Sequence, residues 1–277
     1  MFNCVAALYE LMADSGIEYG TKRLLPVDAG TDLAEILDSI AAIGETAPVK
    51  RVLGWMSSRG AAQLADALQE VSPEASTRIA IATGLAKLRG FITEAEAELE
   101  SSDEKHWQGI LERNSWAIGQ IFSHPLVVVK REAYLEGKSV HNTGGNTADF
   151  LLRNQMTGNA LIVELKTPAT PLTAPGLYRN NAHPPSKELA GAVQQVLQDH
   201  HTLRHHYSSL TGEGTPEFRV FKPKLLLLVG NLGRESDSAR VRSFELFRGS
   251  MPEIEIVTFD ELVQKAKLLL DLFEDAV

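Results

Sequence analysis

The 277-residue chain has one cysteine, Cys4, so it can form no disulfide of its own, and its thiol usage fits a reducing compartment. It also lacks any apolar run long enough to span a bilayer; "LLLLV" at 225–229 reads as a buried strand. The opening "MFNCVAALYELMADSG" has no basic leader and is interrupted by Glu10. It does not read as a signal peptide, and the expected location is cytoplasmic, with no membrane partner. Positive charge is short as well, at a formal net of -9, which argues against nucleic acid as a partner. The deficit is uneven, however. Residues 124–224 hold 11 lysines and arginines against 8 acids, whereas the flanks hold 16 against 28. A site in that middle segment has its own field, and that local field decides whether a phosphate can sit there.

What is present is the composition of a soluble globular protein, 44% hydrophobic and 23% charged, with a mean hydropathy of -0.10. The length suffices for one large domain or two ordinary ones with a real core. Residues 1–95 read as a helical module: Thr31 caps "TDLAEILDSIAAIG", and Leu64, Leu68 and Val71 repeat at helical spacing. No catalytic constellation stands out there, so a scaffold or interaction role is the plain reading. Residues 96–277 change character. One helix is expected through "TEAEAELESSDEKHWQGILERN", because Thr93 with Glu96 and Ser101 with Glu104 both fit capping boxes. Its apolar face would carry Trp107, Ile110, Leu111 and Asn114, with Trp107 and Trp116 as core anchors rather than base-stacking platforms. A strand or hairpin follows at 124–137, then a Gly-rich turn at 142–147 and a strand holding Asp149. After the turn "NQMTGN" comes the strand "ALIVELK", and then a loop with five prolines between 168 and 185. A long amphipathic helix begins near Lys187, and strand, helix, strand and helix complete an α/β core around a mixed sheet.

Asp149, Glu164 and Lys166 interrupt segments that otherwise look like sheet interior. An ionised carboxylate there is costly unless it meets a partner or a metal. Strand alternation puts Glu164 and Lys166 on one face, while Val163 and Leu165 pack the other. The short turn pairs the two strands antiparallel and brings Asp149 beside Glu164, provided Asp149 lies opposite Glu164 or Lys166 rather than Leu165. Two carboxylates and an ammonium are what a hydrolytic magnesium site needs. E-x-K alone is a weak signal; D-x(14)-E-x-K across a hairpin is better, though a structural ion network would use the same residues. On the long helix, Leu189, Val193 and Val196 form the apolar stripe, and Glu188 and Gln195 share one border of it. Those two could support a metal or a scissile phosphate from an outer shell, or simply form a solvated border. "HHTLRHH" at 200–206 offers histidines at i,i+4, but no cysteine joins them, and an exposed polar helix end explains them equally well. Tyr178, Arg179 and Lys187 stand in or beside the proline-rich loop, where phosphate contact competes with a plain connector role.

Four segments in order, "EKHWQGILERNSWAIGQIF" (104–122), "NTGGNTADFLL" (142–152), "LIVELKTPATPL" (161–172) and "KELAGAVQQVL" (187–197), resemble the Shedu anti-phage nucleases of the PD-(D/E)xK superfamily. The resemblance covers roughly 100–210 and has no counterpart in 1–95. It implies a restriction-endonuclease-like domain with a Mg2+-dependent DNA endonuclease activity (Mn2+ a possible substitute), assembled as a homo-oligomer, a tetramer. Asp149 and Glu164 match the metal ligands and Lys166 the catalytic lysine. Glu188 and Gln195 match the helical acid and glutamine less closely, and Glu104 an upstream helical acid that its capping box would explain as well. The family's usual Pro-Asp is Ala148-Asp149 here. The N-terminal module would sense a phage-derived trigger. The alternative is a catalytically silent nucleic-acid-binding or oligomerisation module on the same fold, and sequence does not separate DNA from RNA as substrate.

Overall fold

The computed structural model describes Gly54 and residues 72–135, 147–211, 216–235 and 237–274. The helices expected over 31–44 and 57–71, and the Gly-rich turn before Thr147, lie outside the described residues. The chain divides into two compact units, Met1–Thr77 and Arg78–Val277.

Helix α1 (Pro73–Ala97) starts with a proline at its first position, where the missing N–H costs no helical bond. Its later turns contribute Leu88, Phe91, Ile92 and Ala95 to the core around the sheet. It is followed by α2 (Glu104–Arg113) and the short α3 (Trp116–Gly119). The single helix expected through 93–114 is thus two. Thr93 lies inside α1, and the cap of α2 is Asp103, whose carboxylate accepts from the His106 N–H at 3.0 Å. Ser101 instead accepts from the Asp103 N–H at 3.1 Å. Short polar side chains in Ser-Ser-Asp bind nearby backbone outside a helix better than within one, and the chain breaks there. The apolar face of α2 is the expected one: Trp107, Ile110 and Leu111 are fully buried. Trp107 packs 4.4 Å from Phe259 and donates to the Glu98 carbonyl at 3.2 Å. Trp116, only partly buried, meets Phe91 edge-on at 5.2 Å.

The sheet holds β1 (Leu126–Tyr134), β2 (Thr147–Asn154), β3 (Asn159–Leu165), β4 (Arg219–Leu228) and β5 (Ile254–Val257), in that spatial order. The β1–β2 and β2–β3 pairs are antiparallel, and β3–β4 and β4–β5 are parallel. Parallel pairing demands crossovers, which α4 (Lys187–Thr211) and α5 (Ser238–Gly249) supply. Helix α6 (Phe259–Glu274) closes the described chain. Alternation splits the interior in two. Phe150, Leu152, Val163, Leu165 and Leu226 pack with α1, α2 and α6, while Leu151, Ile162, Leu225 and Leu227 pack with α4 and α5. This is the α/β architecture expected, a mixed sheet flanked by helices. The "NQMTGN" turn is real: the Asn154 carboxamide oxygen accepts from the Met156 and Thr157 N–H groups, and Gly158 has φ 74°.

Gly230, just past β4, fixes where the proline-rich loop begins. It has φ 68°, and its N–H donates to the Thr167 carbonyl at 3.0 Å. A Cβ there would lie 2.8 Å from Leu172 Cγ and 2.9 Å from the Thr170 carbonyl oxygen. Gly230→Ala is therefore expected to destabilise the fold by about 2–5 kcal/mol, left-handed strain and overpacking together. A urea midpoint equal to the parent's would contradict this.

Candidate active site

The β2–β3 ladder pairs Leu151 with Ile162 and Phe150 with Val163. One step further along that register, Asp149 stands opposite Glu164, as the shared face requires. At that step the main-chain ladder gives way to a side chain: the Leu165 N–H donates to Asp149 Oδ2 at 2.7 Å. Gln108, buried one turn into α2, donates its amide to Asp149 Oδ1. The carboxylate is thereby gripped from both sides and cannot swing freely.

Glu164 is buried, its side chain 2% exposed. Lys166, two residues on, reaches it with Nζ 2.6 Å from Oε1, and Lys166 Nζ also lies 3.9 Å from Glu104 Oε2 at the start of α2. Lys166 is held by the sheet, since its N–H donates to the Leu228 carbonyl at 2.9 Å. Glu164 Oε2 is buried with no hydrogen-bond partner, and so is Oδ2 of Asp199 on α4. An orphaned carboxylate oxygen costs free energy, and a hard cation is one group that would satisfy it.

Electrostatics follow from this crowding. Burial, with Asp149 adding to it, holds the Glu164 carboxyl well above the usual range, at about 8, although the Lys166 ammonium pulls it down. Burial raises Asp149 to about 6 against the lowering Leu165 N–H bond, with Glu104 pushing further up. Asp199 is also raised to about 6, by burial and then by Asp149. For Lys166 burial disfavours the ammonium, but the Glu164 hydrogen bond and the surrounding acids outweigh it, and its pKa is raised. Negative charge is in excess here, and a cation is the natural remedy.

The structure therefore brings together Asp149, Glu164, Lys166 and Glu104. Glu104 is not part of the capping box expected for it, because Asp103 caps the helix. Glu188 and Gln195 are exposed on α4, as is Lys187 at its first position, and among the described residues none of the three bonds to this group. Leu189, Val193 and Val196 do form the buried stripe. The α4 acid that belongs to the cluster is Asp199, 3% exposed. Sequence reasoning missed it, although an acid three residues after Val196 and seven after Ala192 falls on the apolar face, which was the available signal. Gln108, one turn after Glu104, was missed likewise. Tyr178 and Arg179 lie at the exposed tip of the proline-rich loop, where Asn180 and Asn181 have positive φ. Arg240 of α5 braces the loop's base, donating to Thr173 Oγ1 and to the Pro175 carbonyl, both at 3.1 Å.

Residues 101–263 match the family model described as "Shedu protein SduA, C-terminal". The chain belongs to the Shedu family. It is 29% identical over 281 residues to Shedu protein SduA of Bacillus cereus (strain B4264), an alignment covering 96% of this chain and 74% of that protein. Membership in this family of defence proteins carries an anti-phage role, and the matched span contains Asp149, Glu164, Lys166, Gln108 and Asp199. No helix among the described residues is long and apolar enough to cross a membrane.

Proposed function

We propose that this Shedu protein is a metal-dependent DNA endonuclease that hydrolyses phosphodiester bonds in anti-phage defence. One observation carries the reading: two restrained acids and a lysine converge at the end of β3, with a buried, partnerless oxygen on Glu164. No group of three or more His, Cys, Asp or Glu side chains suited to a metal is assembled among the described residues. Magnesium does not need one, since it is commonly held by one or two carboxylates with waters and substrate phosphate completing the shell. Asp149 and Glu164 would hold the ion. Bound there, Mg2+ (or Mn2+) would neutralise phosphate charge and make a water more acidic.

The protein's own groups do the rest. Gln108 and the Leu165 N–H aim Asp149. Lys166 stays an ammonium beside Glu164, so its role is to orient water and stabilise developing negative charge rather than to take a proton. Tyr178 and Arg179 at the loop tip, with Lys187, would meet the nucleic-acid backbone. Glu188 and Gln195 would act only from the outer shell. The reading extends to a homo-oligomer, a tetramer, whose N-terminal module of 1–95 senses a phage-derived trigger, with 96–277 as the nuclease domain.

Plasmid nicking assayed with Mg2+ and with chelator tests this. Cleavage that requires the ion is expected; DNA binding with no cleavage under any divalent cation would favour a silent binding module instead.

A further inference from the structure

A second charged feature lies away from the Asp149–Glu164 pair, where the later turns of α4 meet the start of β4. His200 and Arg204, with Phe221, Lys222, Lys224 and Glu253, line a cleft of about 360 Å³. An adjoining hollow is formed by His201 and His205, whose rings lie 4.2 Å apart, together with Arg204. Arg204, Lys222 and Lys224 are exposed, and none forms an ion pair among the described residues. In a chain of formal charge -9, three unpaired cations with one acid around a single cleft make a local field that favours a polyanion.

The aromatic is the second observation. Phe221 is 69% exposed, large for an apolar ring with no core to fill. Its backbone is nevertheless fixed. Asn159 Oδ1 accepts from the Phe221 and Lys222 N–H groups at 3.1 and 3.2 Å, and Asn159 Nδ2 donates to the Lys222 carbonyl at 2.7 Å. This side-chain clamp holds the segment where the β3–β4 register slips between Asn159 and Leu161. The Arg219 guanidinium stands 5.9 Å from the ring centroid. A fixed, exposed aromatic among unpaired cations is the surface that single-stranded nucleic acid uses, phosphates on the cations and a base on the ring. Duplex DNA would leave the ring idle, because its bases hide their faces in the stack.

We infer that this cleft docks an unpaired nucleic-acid strand, with phosphates on Arg204 and Lys222 and a base stacked on Phe221. The inference rests on the nucleic-acid reading above and names the form of the substrate beyond the cut. Leu161 pairs with Lys224 and Glu164 with Leu227, so this edge of the cleft lies three residues along the sheet from the acids. That is about 10 Å.

The test is binding of a labelled oligothymidylate and of a hairpin-closed duplex to the full chain carrying Lys166→Ala, so that neither is cut. Phe221→Ala should weaken oligothymidylate binding by about 5- to 140-fold, the value of one stacked base, and leave duplex binding unchanged. Arg204→Ala with Lys222→Ala should lower the salt slope for the oligomer by about 1.4, two phosphates' worth. Arg78→Ala with Lys87→Ala, the same charge change on α1, should not. Unchanged oligomer affinity in Phe221→Ala, equal loss for strand and duplex, or an equal slope change in the α1 control would each overturn the inference. Failure of the nuclease reading shows separately, as a parent protein that does not nick plasmid, and leaves these binding results interpretable.

Discussion

Replacing Lys166 by alanine is expected to abolish plasmid nicking while leaving the fold and most DNA affinity in place. The ammonium sits 2.6 Å from Glu164 Oε1 and 3.9 Å from Glu104 Oε2, on a backbone pinned to β4. Loss of one preorganised charge aimed at a developing anion costs about 10²–10³ in rate, and more if the lysine also orients the water. Stability should suffer less than a broken buried ion pair suggests. Burial already favours the protonated form of Glu164, so without its ammonium the acid takes up a proton rather than remaining an unpaired charge. Affinity should persist because one phosphate contact among several is a small share of the electrostatic attraction. Arg179→Ala should behave in the opposite way, keeping the chemistry and reducing the salt slope by about 0.9 if the loop tip touches a phosphate. Nicking rates, duplex binding and circular dichroism on both variants separate these outcomes. If Lys166→Ala nicks like the parent, Lys166 is only an ion-pair partner and the mechanism fails.

The parts of this site that sequence revealed are those governed by local geometry. Strand alternation alone put Glu164 and Lys166 on one face, and the short "NQMTGN" turn made the two strands antiparallel, while the register that sets Asp149 across from Glu164 is read from the ladder itself. The buried face of α2 and the stripe of α4 followed from helical period in the same way. What escaped depends on tertiary packing. Glu188 and Gln195 share a helix border, but which border faces the sheet's acidic end is decided by how α4 docks, and the acid it delivers is Asp199. Gln108 reads as one more polar residue on an amphipathic helix until the β2–β3 strands part and its amide meets Asp149. The Ser101 and Thr93 caps failed for a different reason. Capping boxes compete with one another and with local side-chain turns, and Asp103 was the stronger acceptor. The clamp by Asn159 on Phe221 and Lys222 joins residues 62 and 63 apart in sequence, a distance no periodicity spans.

Metal and pH should act on stability through the same acids, and the signs are fixed by the direction of their shifts. Glu164 is raised from 4.5 to about 8, and Asp149 and Asp199 from 3.8 to about 6. Between the unfolded and folded values the folded protein binds more protons than the unfolded chain, so stability falls as pH rises. Without a divalent cation, melting temperature should thus decline from about pH 4 to pH 8, Asp149 and Asp199 contributing up to about pH 6 and Glu164 from about pH 4.5 upward, and then level off. The loss is on the order of several kcal/mol, with about 10 kcal/mol as its upper bound. An ion held by Asp149 and Glu164 needs both ionised, so below about pH 8 its binding must expel protons, and it strengthens as pH rises. At pH 8 and about 100 times its dissociation constant, Mg2+ should stabilise by about 2.7 kcal/mol, or about 5–10 °C in melting temperature. At pH 5 the same concentration should do little. Glu164→Gln separates this from any general ionic effect. The amide keeps the shape, cannot titrate and is a poorer ligand, so the variant should lose most of the metal-free slope between pH 6 and 8 together with the Mg2+ shift. Asp149→Asn should also lose most of the Mg2+ shift, yet keep the burial-driven part of the Glu164 slope above pH 6, without the part that the Asp149 charge adds. Scanning calorimetry across pH with Mg2+ or chelator reads all three proteins. Equal Mg2+ shifts in the parent and Glu164→Gln would mean that the ion binds elsewhere, and the pairing of Asp149 with Glu164 would then be a structural ion network rather than a metal site.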